Sequence, residues 1–149
     1  MKIMTENYKI LAEFIKDISS ETPDVESYLF VKENIKKYKL NISISSKPLK
    51  NKIIEINIIL KFSDPEQNQK KAYFEIVYTI IVRIVEDKIT DKKDLEKIIL
   101  CDVQNKIYPN LEKSFLNLIN DSGFPGVKLE KKIDFNRLYQ EKFYWNYFF

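Results

Sequence analysis

The stretch DSGFPGVKL, residues 121–129, contains both glycines of a 149-residue chain. Glycine suits backbone at positive φ or in close approach, so Gly123 and Gly126 mark the most demanding turn of the sequence. A long helical pattern runs up to this stretch, and a glycine followed two residues later by Pro125 is typical of a helix C-terminus. The stretch therefore predicts a helix that ends here and a fixed crossover loop that leads to a second helix.

The second helix is predicted to begin at Asp134. A short carboxylate there can accept a hydrogen bond from a backbone N–H of the first turn, as an N-cap does. Ile133 and Leu138 stand at the two positions of a hydrophobic staple, which fixes the entry of the chain into a helix. The apolar face of this helix consists of Phe135, Leu138, Tyr139 and Phe143.

Upstream of the glycines, a helical pattern extends from Asp94. Proline removes one helical hydrogen bond and disfavours helix in the residue before it, so we expect a kink or break at Pro109 and a straight segment from there to Ser122. The apolar residues of this pattern recur at four-residue steps and are Leu95, Ile99, Val103, Ile107, Leu111, Phe115 and Ile119.

Three segments before this helix have the periodicity of strands, and the first two alternate between apolar and polar residues, as half-buried strands do. They run over residues 38–45, 54–62 and 73–85, with turns expected at 46–51 and 63–68. The third segment is apolar on both faces, and in a small antiparallel sheet both faces then need cover. The chain's own helices could provide it, or a second protomer, the last helix or a ligand; the pattern leaves these open.

Residues 8–19 fit two periodicities. Helical spacing fits slightly better than the alternation of a strand, and residues 20–37 show no clear pattern, so we expect a long loop there. Strands followed by helices indicate an α+β protein, and the length is that of a single domain.

Composition argues against catalysis. The chain has no histidine and one cysteine, Cys101, so the commonest general base is missing and neither a disulfide nor a zinc site can form within it. It also lacks a glycine-rich phosphate loop and a nucleophile elbow. We therefore expect no enzyme, no cofactor and no metal site. What remains is binding.

Charge and hydropathy limit which partners the protein can bind and where in the cell it is expected. The net charge is +3, and only Arg83 and Arg137 of the 25 basic residues are arginine, which argues against a specific nucleic-acid reader. The first twenty residues lack the apolar core of a signal peptide, and no apolar run is long enough to span a bilayer. We expect a cytoplasmic protein without membrane insertion.

Two parts of the sequence resemble the SecB family of bacterial protein-export chaperones. The first comprises GFP at 123–125, Val127, Leu129, and the residues IDF at 133–135 with Leu138 and Tyr139, which look like the family's crossover and last helix. The second is FIKDIS at 14–19 with Glu21 and Pro23, which is similar to the family's first strand and the loop after it. Because of this resemblance, we predict a strand rather than a helix at residues 8–19.

The resemblance implies a fold and a function. The fold would be a four-stranded antiparallel sheet followed by a long helix, the crossover loop and a C-terminal helix, in one domain over residues 1–149. The function would be that of an ATP-independent holdase that binds unfolded preproteins, keeps them translocation-competent and delivers them to the SecA motor. The assembly would be a homotetramer, a dimer of dimers. The alternative is a SecB-like chaperone dedicated to a single partner of the toxin–antitoxin kind; a nucleic-acid-binding module is a weaker one.

Site residues follow from the same resemblance. The peptide groove would be walled by Phe124, Pro125, Val127, Leu129, Phe135 and Leu138. Replacing Phe124 or Leu129 by aspartate should then weaken client binding and leave the fold intact. The acids that dock SecA would be Asp17, Glu21 and Glu75, with Glu75 displaced by one residue from the family position and so expected on the opposite strand face. The aromatic tail YWNYFF, residues 144–149, would either pack on the protein or its neighbour or compete for the groove.

Overall fold

The structure is a computed structural model that describes residues 7–66, 72–85, 92–129 and 133–140. The first half contains strands β1 (Tyr8–Glu21), β2 (Lys39–Pro48), β3 (Ile53–Ser63) and β4 (Tyr73–Ile84). Helix α1 (Val25–Asn34) and a 3₁₀ turn (Ile35–Lys37) lie between β1 and β2. The second half contains α2 (Lys92–Lys97), a π-helical turn (Ile98–Asp102), α3 (Val103–Asp121) and α4 (Phe135–Gln140).

The four strands form one antiparallel sheet in the order β1-β4-β3-β2, so β1 and β2 are the edge strands of the described sheet. Phe62 pairs with Phe74 and Ile56 pairs with Ile80, which places the even-numbered residues of β3 and β4 on one face. The residues on this face that are fully buried are Ile56, Ile58, Leu60, Phe74, Ile76, Ile80 and Val82. The predicted α+β class with a four-stranded antiparallel sheet is confirmed.

Helix α3 covers this face of the sheet. Its side chains Leu111, Phe115 and Ile119 recur at four-residue steps and are fully buried in the same core cluster as the strand residues. Burying one side chain of this size stabilises the fold by about 1.5–3 kcal/mol. The opposite face of β4 is different, because Val77 and Ile81 are only half-buried. No described helix buries that second face fully.

Strand β1 pairs with β4 along its whole length. Its register shifts between Ile10 and Ala12 and again between Ile15 and Asp17, which are the irregularities that β-bulges produce. The strand predicted from the family resemblance is therefore confirmed, and the helical periodicity of these residues was misleading.

The prediction of a long loop at residues 20–37 is wrong, because α1 and the 3₁₀ turn occupy most of these residues. Asp24 caps α1, since its carboxylate accepts a hydrogen bond of 2.7 Å from the backbone N–H of Ser27. Val31 is fully buried and anchors the helix to the core. The sequence therefore held an N-cap signal even though its apolar pattern was weak.

A kink or a break was expected at Pro109, and the break is absent. Helix α3 continues through Pro109 without interruption over Val103–Asp121, and the departure from α-helical geometry lies upstream, in the π-helical turn. The turn between β2 and β3 is shorter than predicted, because β2 continues to Pro48 and the chain reverses through Asn51 and Lys52, both at positive φ. None of the helices in the described residues has the length and hydropathy that a membrane span requires.

Candidate polypeptide-binding groove

The crossover begins with a Schellman motif at the end of α3. Gly123 has a φ of +102° and donates its N–H to the Asn120 carbonyl oxygen, while Phe124 donates its N–H to that of Ile119. Gly126, at a φ of +83°, makes the second reversal. Each glycine adopts a conformation that residues with a Cβ rarely adopt.

Helix α4 is held by its N-cap and by two contacts of its first turn. The Asp134 carboxylate accepts a hydrogen bond of 3.1 Å from the backbone N–H of Arg137, so Asp134 acts as the N-cap. Phe135 is buried against Tyr108 of α3, with their ring centroids 5.3 Å apart in an edge-to-face arrangement. Next to Phe135, Asn136 accepts a hydrogen bond from the buried thiol of Cys101.

The crossover groove is a concave pocket with a volume of about 940 Å³. It lies between the crossover, the start of α4 and the β2 edge of the sheet. Its apolar lining consists of Ile35, Tyr38, Leu40, Ile42, Phe62, Pro125, Val127, Leu129, Ile133 and Leu138. Its charged lining consists of Lys36, Lys39, Lys128, Arg137 and Asp134. An apolar trough with a polar border and a strand edge beside it can receive an extended polypeptide.

The structure brings four of the six predicted wall residues to this groove: Pro125, Val127, Leu129 and Leu138. Phe124 and Phe135 do not line it, since only 4% and 2% of their surface is exposed. Phe124 turns inward because the Schellman motif directs it onto the core, where it meets Phe74 edge-on at 5.6 Å. The expectation that Phe124→Asp would leave the fold intact is therefore wrong, because it would bury an unpaired carboxylate.

Sequence reasoning missed the β2 side of the groove. Leu40 and Ile42 were recognised as the apolar face of a strand, but their half-buried state depends on where the helices stop covering the sheet. Tyr38 is the first residue of the same apolar strand face, and the sequence did not assign it to a site. Its hydroxyl donates a hydrogen bond of 2.5 Å to the Ala72 carbonyl oxygen, and burial, followed by the nearby Asp64, raises the pKa of its phenol to about 12. Tyr38 is thus a fixed, neutral part of the groove.

The acids expected to dock a partner lie away from the groove, on the sheet face that the described helices do not bury fully. Asp17 pairs with Val77, Ser19 with Glu75, and Glu21 with Tyr73. Because directly paired residues point to the same side, Asp17, Glu21 and Glu75 share one face. Glu75 therefore faces away from the side on which its neighbour Ile76 lies, as a shift by one residue along a strand implies.

This same face carries a small polar network. Lys16 lies 3.6 Å from a Glu55 carboxylate oxygen, and Asn57 donates a hydrogen bond of 2.8 Å to that carboxylate. The hydrogen bond from Asn57, helped by Lys16, lowers the pKa of Glu55. Thr79 in turn donates to Asn57, which orients its amide.

Strand β1 presents a second exposed feature. Four of its large apolar side chains are 38–47% exposed, namely Leu11, Phe14, Ile15 and Ile18. They belong to an edge strand, and the unpaired backbone groups of an edge strand can pair with another chain. The predicted aromatic tail, residues 144–149, lies outside the described residues.

Comparison with known proteins identifies the class of protein. The family model described as preprotein translocase subunit SecB matches residues 3–144, which is most of the chain. The protein is thus a protein-export chaperone by class, and the chain belongs to the SecB family.

Similar proteins agree with this family. A putative protein-export protein SecB from Pelagibacter ubique is 64% identical over 139 residues, which cover 93% of this chain and 99% of the relative. A protein-export protein SecB from Bradyrhizobium is 24% identical over 132 residues, covering 89% and 79% of the two chains. Among solved structures, a SecB-like chaperone of Mycobacterium tuberculosis in complex with an antitoxin peptide superimposes with a TM-score of 0.61. The two are 11% identical, over 86% of this chain and 92% of that one, so this likeness shows the shared fold.

Proposed function

We propose that the protein is a cytoplasmic, ATP-independent holdase, a single chaperone domain over residues 1–149 that binds unfolded preproteins and keeps them competent for export. The observation that carries this proposal is the crossover groove, in which ten apolar side chains lie beside the β2 edge. Apolar burial supplies affinity without a sequence rule, and pairing of main chains along a strand edge is equally blind to sequence.

Within the groove, we assign the client contacts to Pro125, Val127, Leu129 and Leu138. Phe124 and Phe135 support this wall from the core. Each contact buries part of one side chain and is weak, so one long client would need several grooves for tight binding. That need favours a homotetramer, arranged as a dimer of dimers. The exposed apolar side chains of the β1 edge are suited to joining two copies.

Delivery to the SecA motor belongs to the same proposal. Asp17 and Glu21 are exposed on the same sheet face as Glu75, whose cross-strand partner is Lys61, and these acids would meet a basic partner surface. If the three act together, the double substitution Asp17→Lys and Glu21→Lys will weaken SecA binding and leave client binding unchanged. Loss of client binding in that variant would contradict the separation of the two surfaces.

In a second candidate function, the protein is a chaperone that binds a single dedicated partner. It is favoured by the structural relative whose peptide comes from an antitoxin. Affinity purification of the tagged protein from its own cells distinguishes the two candidates: a general holdase retains many unfolded preproteins, whereas a dedicated chaperone retains one protein in a stoichiometric amount.

The holdase proposal is tested by aggregation of a slow-folding preprotein diluted from denaturant, with and without the protein and without nucleotide. Suppression of light scattering, together with a native mass four times the chain mass of 17.8 kDa, is the expected result. A monomer that leaves aggregation unchanged would refute the proposal.

A further inference from the structure

The charges of the crossover groove are strongly unbalanced. Four cationic residues line it, Lys36, Lys39, Lys128 and Arg137, against one carboxylate, Asp134. The whole chain is nearly balanced, with 25 basic and 22 acidic residues, so the excess of positive charge is a property of this surface and not of the composition. The cations come from three separate segments: the turn before β2 with the start of that strand, the crossover, and α4.

The described residues do little to neutralise the three lysines of this set. Lys36, Lys39 and Lys128 are exposed, and none of them makes an ion pair with a described residue. The Asp134 carboxylate is directed at the N-terminus of α4, where it accepts the hydrogen bond from the Arg137 backbone. Another carboxylate, Asp64, is close enough to influence Tyr38 but is buried and is not part of the groove lining.

An extended peptide in the groove would place its flanking residues within one Debye length, about 8 Å at physiological salt, of several cations at once.

We propose that the crossover groove selects apolar segments flanked by aspartate or glutamate. This inference rests on the proposed holdase function and specifies the client segments of the same site. Apolar side chains of the client fill the trough, while its flanking carboxylates meet the border lysines. Because those lysines are exposed, each pair adds little by itself, and the selectivity arises from several pairs acting together.

The test uses the full-length protein and three peptides with one shared apolar core, flanked on both sides by Asp, Gln or Lys. Each peptide carries a fluorophore without net charge, and binding is followed by fluorescence anisotropy at low and at high salt. We expect the Asp-flanked peptide to bind roughly fivefold more tightly than the Gln-flanked one, and the Lys-flanked peptide to bind more weakly than both, at low salt. The differences in affinity among the three peptides should largely disappear at about 0.5 M salt, because the added salt shortens the Debye length.

Two matched double variants test whether the preference for the Asp-flanked peptide arises at the groove. Lys36→Gln with Lys128→Gln should reduce the Asp-over-Gln preference to less than about twofold, because both lysines border the groove. Lys47→Gln with Lys50→Gln removes the same charge near the opposite end of β2, and should leave the preference unchanged.

The outcomes separate this inference from the function on which it rests. Equal binding of all three peptides, or tighter binding of the Lys-flanked one, would overturn the charge selection and leave the holdase proposal standing. Failure of every peptide to bind would overturn both. Displacement of a bound peptide by a single-stranded oligonucleotide at physiological salt would also overturn the inference, since the cations would then serve nucleic acid.

Discussion

The Tyr28 hydroxyl donates a hydrogen bond of 2.9 Å to the carbonyl oxygen of Gly123, so helix α1 is tied to the first residue of the crossover. The Tyr28 ring also stacks on Phe124, with the centroids 5.0 Å apart. A Cβ added at Gly123 would lie 2.9 Å from Cε1 of that ring, closer than real Cβ atoms come. Tyr28 and Gly123 thus fix the direction in which the chain leaves α3 toward the groove.

This relationship predicts unequal effects at the two glycines. Gly123→Ala should lower the free energy of unfolding by about 2–3 kcal/mol, since it adds the clash with Tyr28 to the cost of a positive φ. Gly126→Ala meets no atom within 4 Å and should cost only about 1 kcal/mol. Denaturant unfolding measures both, and equal destabilisation would show that Tyr28 does not restrict this position.

The core aromatics and the groove residues should respond differently to substitution. Phe135→Ala empties a buried site against Tyr108 and should destabilise the protein by about 3–5 kcal/mol. Leu129→Asp alters a half-buried residue of the groove lining, so it should weaken client binding with a smaller loss of stability. Leu49→Asp is the matched control, since Leu49 is 41% exposed beyond the far end of β2. Equal loss of client binding in Leu129→Asp and Leu49→Asp would contradict the assignment.

Alkaline pH should weaken the groove through Tyr38. Its pKa is raised from 10.0 to about 12 in the folded protein, so folding favours the neutral phenol. The stability that Tyr38 contributes is complete below pH 10 and is lost as the pH rises through 12. A difference titration of phenolate absorbance between wild type and Tyr38→Phe should show one group ionising near pH 12. A difference centred near pH 10 would mean that Tyr38 is solvated.

The thiol of Cys101 should react slowly in the native protein. Burial raises its pKa and so reduces the fraction present as the reactive thiolate, and the thiol is engaged with Asn136. Alkylation by iodoacetamide should be much slower in buffer than in urea, and should accelerate in Phe135→Ala, where α4 is loosened. Labelling of the native protein at the rate of the unfolded chain would contradict this packing.

The strands β2, β3 and β4 could be predicted from sequence because their pairing is regular, so that alternation survives along each strand. Strand β1 could not be predicted from its own periodicity, and its bulges give the reason. Ile10, Ile15 and Ile18 face the same side of the sheet opposite Val82, Tyr78 and Ile76. Their spacings of five and three residues result from the two bulges and imitate a helix.

The crossover was predictable because both glycines and Pro125 signal its backbone locally. The direction of each side chain on it was not. Phe124 and Pro125 are adjacent in sequence, yet one completes the core and the other lines the groove. That division depends on Tyr28 of helix α1, which lies 95 positions before Gly123 in the chain. No local sequence pattern connects Tyr28 to the crossover.

The central claim is that non-native polypeptide binds in the crossover groove, and site-specific photo-crosslinking tests it most directly. A benzophenone side chain would replace Val127 in the groove or, as the control, Leu49 at the far end of the sheet. An unfolded preprotein should crosslink to position 127, with loss of the product when an apolar peptide competes, and only weakly to position 49. Equal yields at the two positions, or no product at 127 while the protein still suppresses aggregation, would contradict the account.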